Sequence, residues 1–190
     1  LYFEGTGHYY EYVSSQGITW DYADGNASAK EYYGLKGYLV TIISKNENDF
    51  VTSKLNGAGW MGASDVSNEG HWLWVRGPEA GREFYNENNS TVFIYANWAE
   101  GEPNNSGGIE HYAHLIYGHP TFPNGTWNDL PNNASVAGYI VEYGGMPNDV
   151  PTLPTATVTV AVLNNSKLPI HAELKASYNN RLKTVDSLQS

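Results

Sequence analysis

The sequence predicts an α+β domain in which two short helices pack on small antiparallel sheets beside a long loop region. Three observations carry this. Two segments start like helices: Thr19 stands before "WDYADGNASAKEYYG", and Ser44 followed by Glu47 is a capping-box pattern. Short aromatic and β-branched runs read as strands. From Asp65 to about Thr126 the chain is rich in Gly, Asn and Pro, and loops that long in a compact domain usually serve a function.

In order, the elements are a strand at "HYYEYV" (His8 to Val13), a helix from Thr19 to Gly34, and a strand at "YLVTII" (Tyr38 to Ile43). A helix from Ser44 to about Leu55 and a strand at "GWMGAS" (Gly59 to Ser64) follow. "WLWV" and "FIYANW" break the loop region, and "YAHLIY", "TWNDL" and "AGYIVEY" close the unit as short strands. Residues 1–144 form this domain. The opening "LYFEG" reads as native chain, running straight into the first strand. Residues 145–155 hold three prolines and read as a linker. Residues 156–190 read as an appendage, a strand at "ATVTVAVL" and then "HAELKASYNNRLKTVDSLQ" as a short helix: the start of a neighbouring domain, or a strand that docks on the first one.

The composition narrows the function. Twenty acidic residues against ten basic ones give a net charge of -10, which disfavours nucleic acid and anionic membrane surfaces and suits a protein that gathers cations. The chain has no cysteine, so thiol catalysis, thiolate metal sites and disulfides are excluded. No apolar run reaches the length of a membrane span.

The stretch "GEPNNSGGIEHY" (Gly101 to Tyr112) concentrates Glu102, Asn104, Asn105 and Glu110 without a lysine or arginine. Further on, "TWNDL" sets Asn128 beside Asp129. If the bond before Pro103 is cis, the side chains flanking it point the same way. Glu102, Asn104, Glu110, Asn128 and Asp129 offer hard oxygens enough for a calcium shell, which takes about 6–8 ligands. Magnesium fits less well, and His111, His114 and His119 lack the carboxylate pattern expected around zinc.

"EPN", the later Glu110 and "WND" together resemble the C-type lectin family, and the likeness runs over about residues 7–143, including "GWMGAS" and "EGHWLW". The resemblance implies the C-type lectin-like fold with a calcium-binding loop region. It makes Glu102, Asn104, Glu110, Asn128 and Asp129 the Ca2+ ligands, and Glu102, Asn104, Glu110 and Asn128 the groups that hydrogen-bond a sugar. In that family EPN goes with fucose-, mannose- or glucose-type vicinal diols and QPD with galactose. A second calcium would draw on Asp65, Glu69, Asn105 and Glu110, although Asn105 and His111 stand where acids are usual. Missing disulfides and calcium-dependent glycan binding suggest an extracellular bacterial adhesin module, working through many copies.

Two segments are longer than the family pattern: Phe84 to Ala96, and "HLIYGHPTFPNGTW" between Glu110 and Asn128. Tyr117, His119 or Phe122 in the second could stack on a sugar or could be packing residues. Trp60, Trp72, Trp74 and Trp98 read as core, Trp127 as the anchor of the strand presenting Asn128, and His8, His71 and His171 as ordinary. The competing classes are a lectin fold binding protein, peptide or ice, and an enzyme. The chain is not expected to be an enzyme: calcium-saturated carboxylates make poor general acids, and no nucleophile–base pair stands out.

Overall fold

The computed structural model describes residues 1–152, 174–178 and 181–185. They divide into two units, Leu1–Leu153 and Pro154–Ser190, each taken by itself. The first is the α+β domain. Its elements are β1 (Tyr2–Phe3), β2 (His8–Ile18), α1 (Trp20–Ser28), β3 (Glu31–Tyr32), β4 (Leu35–Leu39), α2 (Lys45–Thr52), β5 (Gly59–Ser64), β6 (His71–Trp74), β7 (Glu83–Asn86), β8 (Thr91–Val92), β9 (Tyr112–Leu115), β10 (Trp127–Leu130) and β11 (Val136–Tyr143).

β11 is the organising strand. One edge pairs with β2 from Val136↔Ile18 to Tyr143↔Tyr9. The other is shared between β4, antiparallel, and β5, parallel at Gly138↔Gly59 and Tyr139↔Trp60. Its alternating side chains feed two cores, as a strand period of two requires. Ile140 joins Tyr10, Val51, Trp72, Trp74, Phe84 and Trp127, while Tyr139, Val141 and Tyr143 join Trp20, Ala23, Ala27 and Trp60. The two helices therefore serve opposite faces of the sheet. Trp60, Trp72, Trp74 and Trp127 are fully buried, and half-buried Trp98 packs on the first core.

The first helix is shorter than the sequence suggests. It ends at Ser28, because Tyr33 and Gly34 adopt positive φ (49° and 80°) in a two-residue turn that pairs β3 with β4. The second helix ends at Thr52 and starts as expected, with the Ser44 hydroxyl accepting from Glu47 N–H. Glu47 does not reach back to Ser44; its Oε2 accepts from Ile43 N–H at 2.8 Å.

Much of the expected linker lies on the first unit: Thr152 N–H donates to Tyr33 O at 2.7 Å. In the second unit, the expected helix over "HAELKASYNNRLKTVDSLQ" is replaced by an antiparallel pair, β12 (Leu174–Tyr178) and β13 (Arg181–Val185), with Tyr178 opposite Arg181. The physical reason is in the sequence: Asn-Asn between two alternating runs is a hairpin turn signal. The expected strand at "ATVTVAVL" and His171 lie outside the described residues.

A buried acidic cluster joins β2, α2 and β11. Tyr10 OH donates to Glu47 at 2.6 Å and lies 3.0 Å from Glu142. His8 Nδ1 meets Glu142 at 2.6 Å, so His8 is not the ordinary residue the sequence suggests. Thr41 N–H donates to Glu142, and its hydroxyl links Glu142 to Glu79. Burial first, then the charge of Glu142, pushes the Glu47 carboxyl from 4.5 to about 7. Burial lowers His8, but the Glu142 hydrogen bond and charge outweigh it and raise its pKa.

Two predictions follow from this packing. Between about pH 4.5 and 7 the folded state holds the Glu47 proton that the unfolded state has released, so stability falls as pH rises through that window. His8 acts in the same direction, because its raised pKa gives stability at low pH that is lost as pH climbs through it. The melting temperature in chelator is expected to drop from pH 5 to pH 8, and Glu47→Gln to flatten the slope; a flat or rising wild-type profile contradicts the assignment. Separately, Trp127→Ala should cost about 3–5 kcal/mol in urea unfolding.

Candidate functional site

The loop between Trp98 and β10 is held at its base by Trp127. The indole is fully buried and donates from Nε1 to Asn48 Oδ1 of α2 at 2.8 Å. Asn48 in turn donates to Gly125 O at 3.0 Å. The Trp127 backbone bonds to Asn97 O and receives Ala99 N–H. β10 pairs with β9, setting Asn128 opposite His114 and Asp129 opposite Ala113.

Adjacent residues on a strand face opposite ways, and this separates the roles of Asn128 and Asp129. Asp129 is buried with Trp127. Its Oδ1 and Oδ2 accept Asn104 N–H at 3.1 Å and Asn105 N–H at 2.8 Å, fixing the "EPNN" turn from beneath. Asn128, half-exposed, lines a surface cavity together with Glu102 and His114. The Asn128 amide donates to Asp129 O at 2.8 Å and lies 3.4 Å from His114 Nε2. His114 Nδ1 lies 3.2 Å from Leu115 O, a partner that only accepts, so Nε2 is the acceptor. Burial lowers His114 to about 4 and keeps it neutral for that role. Both donors of Asn128 are thus engaged, and its Oδ1 is left as the free acceptor.

The Glu102–Pro103 bond is cis, the arrangement considered from the sequence. Asn104 Nδ2 donates to Glu102 Oε2 at 2.5 Å. Positive φ at Asn105, Gly107 and Gly108 turns the chain back on itself. Glu110 then accepts Ser106 N–H at 2.9 Å, while its own N–H donates to Asn105 Oδ1 at 3.1 Å.

The structure brings the five predicted residues into one neighbourhood. Burial first, then Asp129 by charge and hydrogen bond, then Glu110, pushes the Glu102 carboxyl up to about 7. Glu110 is raised by burial, with Ser106 N–H opposing and Asp129 adding. Among the described residues no lysine, arginine or histidine forms an ion pair with these three acids.

The second predicted set divides. Asp65, almost fully buried, and Glu69 lie 3.1 and 3.3 Å from His111 Nδ1, and one ligand atom from each of the three falls within 4.8 Å of the others. His111, which stands where the family pattern has an acid, thus meets Asp65 and Glu69 of that set. Asn105 and Glu110 bond to each other instead, at the first set. Asp65 also pins the loop, accepting Gly70 N–H at 2.9 Å.

Glu87 went unread in the sequence. It sits in a short 3-10 turn (Glu87–Asn89) inside the long 84–96 segment. Its Oε2 is buried. Burial raises its pKa, the charges of Asp129, Glu69 and Asp65 raise it further, and the Trp72 side chain lowers it as a hydrogen-bond donor, so it lies between the two sets. Only long-range folding brings it there. Carboxyls raised by burial and by neighbouring negative charge, with amide oxygens nearby, fit a hard cation of the calcium type. His71 bonds Glu83 at 2.8 Å, so it too has a partner that its sequence context does not reveal.

Comparison with known proteins bears on the family and the fold. The family model for the lectin C-type domain matches residues 19–140. Halomucin of Haloquadratum walsbyi is 39% identical over 154 residues, covering 81% of this chain but only 2% of that protein. A perlucin-like protein of Mytilus galloprovincialis is 31% identical over 137 residues, 68% of this chain and 72% of its own. The crystal structure of the C-type lectin CEL-I from Cucumaria echinata shares the fold, with a TM-score of 0.54 at 23% identity over 72% of this chain and 90% of its own. With its fold, its loop and more than half its length matched, the chain belongs to the C-type lectin domain family.

Proposed function

We propose that this domain binds glycans through a calcium ion held by Glu102, Asn104, Glu110, Asn128 and Asp129. One observation carries the reading: three carboxyl groups converge on a partly desolvated loop with no basic partner among the described residues, and burial together with the charge of Asp129 raises the pKa of both Glu102 and Glu110. Left alone the arrangement repels itself; a divalent cation offsets that cost. When bound, calcium supplies a positive centre whose open coordination positions accept two neighbouring sugar hydroxyls.

The protein's own groups do the rest. Asp129 fixes the backbone of Asn104 and Asn105, and so holds the turn on which Glu102 and Asn104 are mounted. Glu102 and Glu110 accept hydrogen bonds from sugar hydroxyls. The Asn104 amide donates to Glu102 and carries a second N–H that can donate to a hydroxyl oxygen. His114 orients Asn128 through its amide. A hydroxyl that donates to a carboxylate and accepts from an amide is bound cooperatively. A single sugar buries few atoms, so affinity per site is modest and attachment rests on several copies. The EPN pattern supports fucose-, mannose- or glucose-type diols. A role as the sugar-binding module of an extracellular adhesin, within a longer multidomain chain, suits a domain that matches 2% of a very long relative. The Asp65–Glu69–His111 group, with Glu87 beside it, is proposed as the second cation position. No helix among the described residues is long and apolar enough to cross a membrane.

A glycan array in millimolar calcium should show fucose- or mannose-type binding that disappears with chelator; no glycan binding in calcium removes the proposal in favour of a protein, peptide or ice ligand. Calcium at a hundred times its Kd should add about 2.7 kcal/mol to stability, measured as a melting shift. The shift should be strongly reduced in Asp129→Ala. Changing Glu102→Gln together with Asn104→Asp should move preference toward galactose-type diols; an unchanged preference on the array refutes the site assignment.

A further inference from the structure

The segment between Glu110 and Asn128 does more than connect β9 to β10. It forms one wall of a cavity of about 300 Å³ that also takes in Glu102, Asn128 and His114, with Tyr117, His119 and Phe122 on the loop side. That volume sits at the lower end of small-molecule sites, about 300–1,000 Å³. The wall is built. His119 Nδ1 accepts two backbone N–H groups, from Thr121 at 3.2 Å and Phe122 at 3.1 Å. The His119 and Phe122 rings stack at 4.9 Å and 19°. Gly118 N–H donates to Asn124 at 2.7 Å, and Ile116 and Thr126 cross-brace the loop base at 2.8 Å. None of Tyr117, His119 and Phe122 belongs to either core, so core packing does not account for an ordered aromatic pair here.

We propose that this cavity is a second subsite, taking the sugar residue next to the one bound at Glu102 and Asn128 in an oligosaccharide. The inference rests on the glycan reading of that first site, with which it shares two residues. The chemistry fits a neutral sugar. Aromatic faces accept the apolar C–H face of a pyranose. Because His119 Nδ1 is an acceptor, its ring proton is on Nε2, which offers a donor to a hydroxyl. Tyr117, 37% exposed, adds a second hydroxyl partner. The His119–Phe122 pair is fixed before a ligand arrives, which lowers the ordering cost of binding. Chain length in this one loop therefore sets which glycosidic linkages are accepted.

The test is a calorimetric titration of the domain in calcium. The probes are methyl α-mannoside, methyl α-fucoside and the disaccharides that extend each by one hexose. At least one disaccharide should bind about three- to tenfold tighter than its methyl glycoside, the range an aromatic stacking contact gives. The ratio should fall to about one in Phe122→Ala and in His119→Ala. A melting curve guards against a collapsed loop, and Tyr117→Ala replaces any variant that melts early. A wild-type ratio of one across the series, or an advantage that survives the substitutions, overturns the subsite while leaving the first site standing. Absence of binding by both methyl glycosides and every disaccharide overturns the glycan reading and the subsite with it.

Discussion

The hydrogen bond from the Trp127 indole to Asn48, made inside the larger core, is the constraint on which the functional end of the domain depends. The chain between β7 and β10 has little regular structure of its own. Its course is set where Trp127 locks strand, helix and loop together: Asn48 also holds Gly125, and the Trp127 backbone holds Asn97 and Ala99. Because Asp129 lies two residues further along the same strand face, the position of one buried indole decides where a carboxylate meets the amides of Asn104 and Asn105.

That placement concentrates negative charge where water is partly excluded. Asp129 is wholly buried and Glu102 lies against it, and burial followed by the charge of Asp129 raises the Glu102 carboxyl. The pairing of β10 with β9 holds Asp129 in place, and its carboxylate in turn fixes the turn that carries Glu102 and Asn104. The same logic operates more weakly around Glu87, which feels Asp65, Glu69 and Asp129 together. The acidic cluster around Glu47 and Glu142 solves its repulsion differently, with Tyr10, Thr41 and His8 as donors.

Elements with local signatures were readable from the chain. Ser44 with Glu47 marked the second helix, and the run Gly59 to Ser64 marked β5 to the residue. The five residues around "EPN" and "WND" were readable as oxygen donors, because residue type and proximity in sequence carry that information. What escaped was set by distant partners. Glu31 and Tyr32 look helical, yet the positive φ of Tyr33 and Gly34 turns them into a hairpin. His8 finds Glu142, His71 finds Glu83 and His111 finds Asp65 through register between remote strands. Glu87 resembles any acid in an Asn-rich turn until the fold carries it to the acidic loop.

The pairing of β2 with β11 has a mechanical consequence. Tyr9 lies opposite Tyr143, so β2 begins and β11 ends at the same end of one antiparallel ladder. Tension applied along these two strands from that end, once the Leu1–Tyr10 and Thr152–Tyr33 bonds have given way, would open the ladder like a zip, one pair of hydrogen bonds after another, past the contact of His8 with Glu142. Among the described residues β9 and β10 pair with β5 and with each other, not with β2. Under such tension the β2–β11 stem can yield while the loop bearing Glu102, anchored through β9 and β10, keeps its shape.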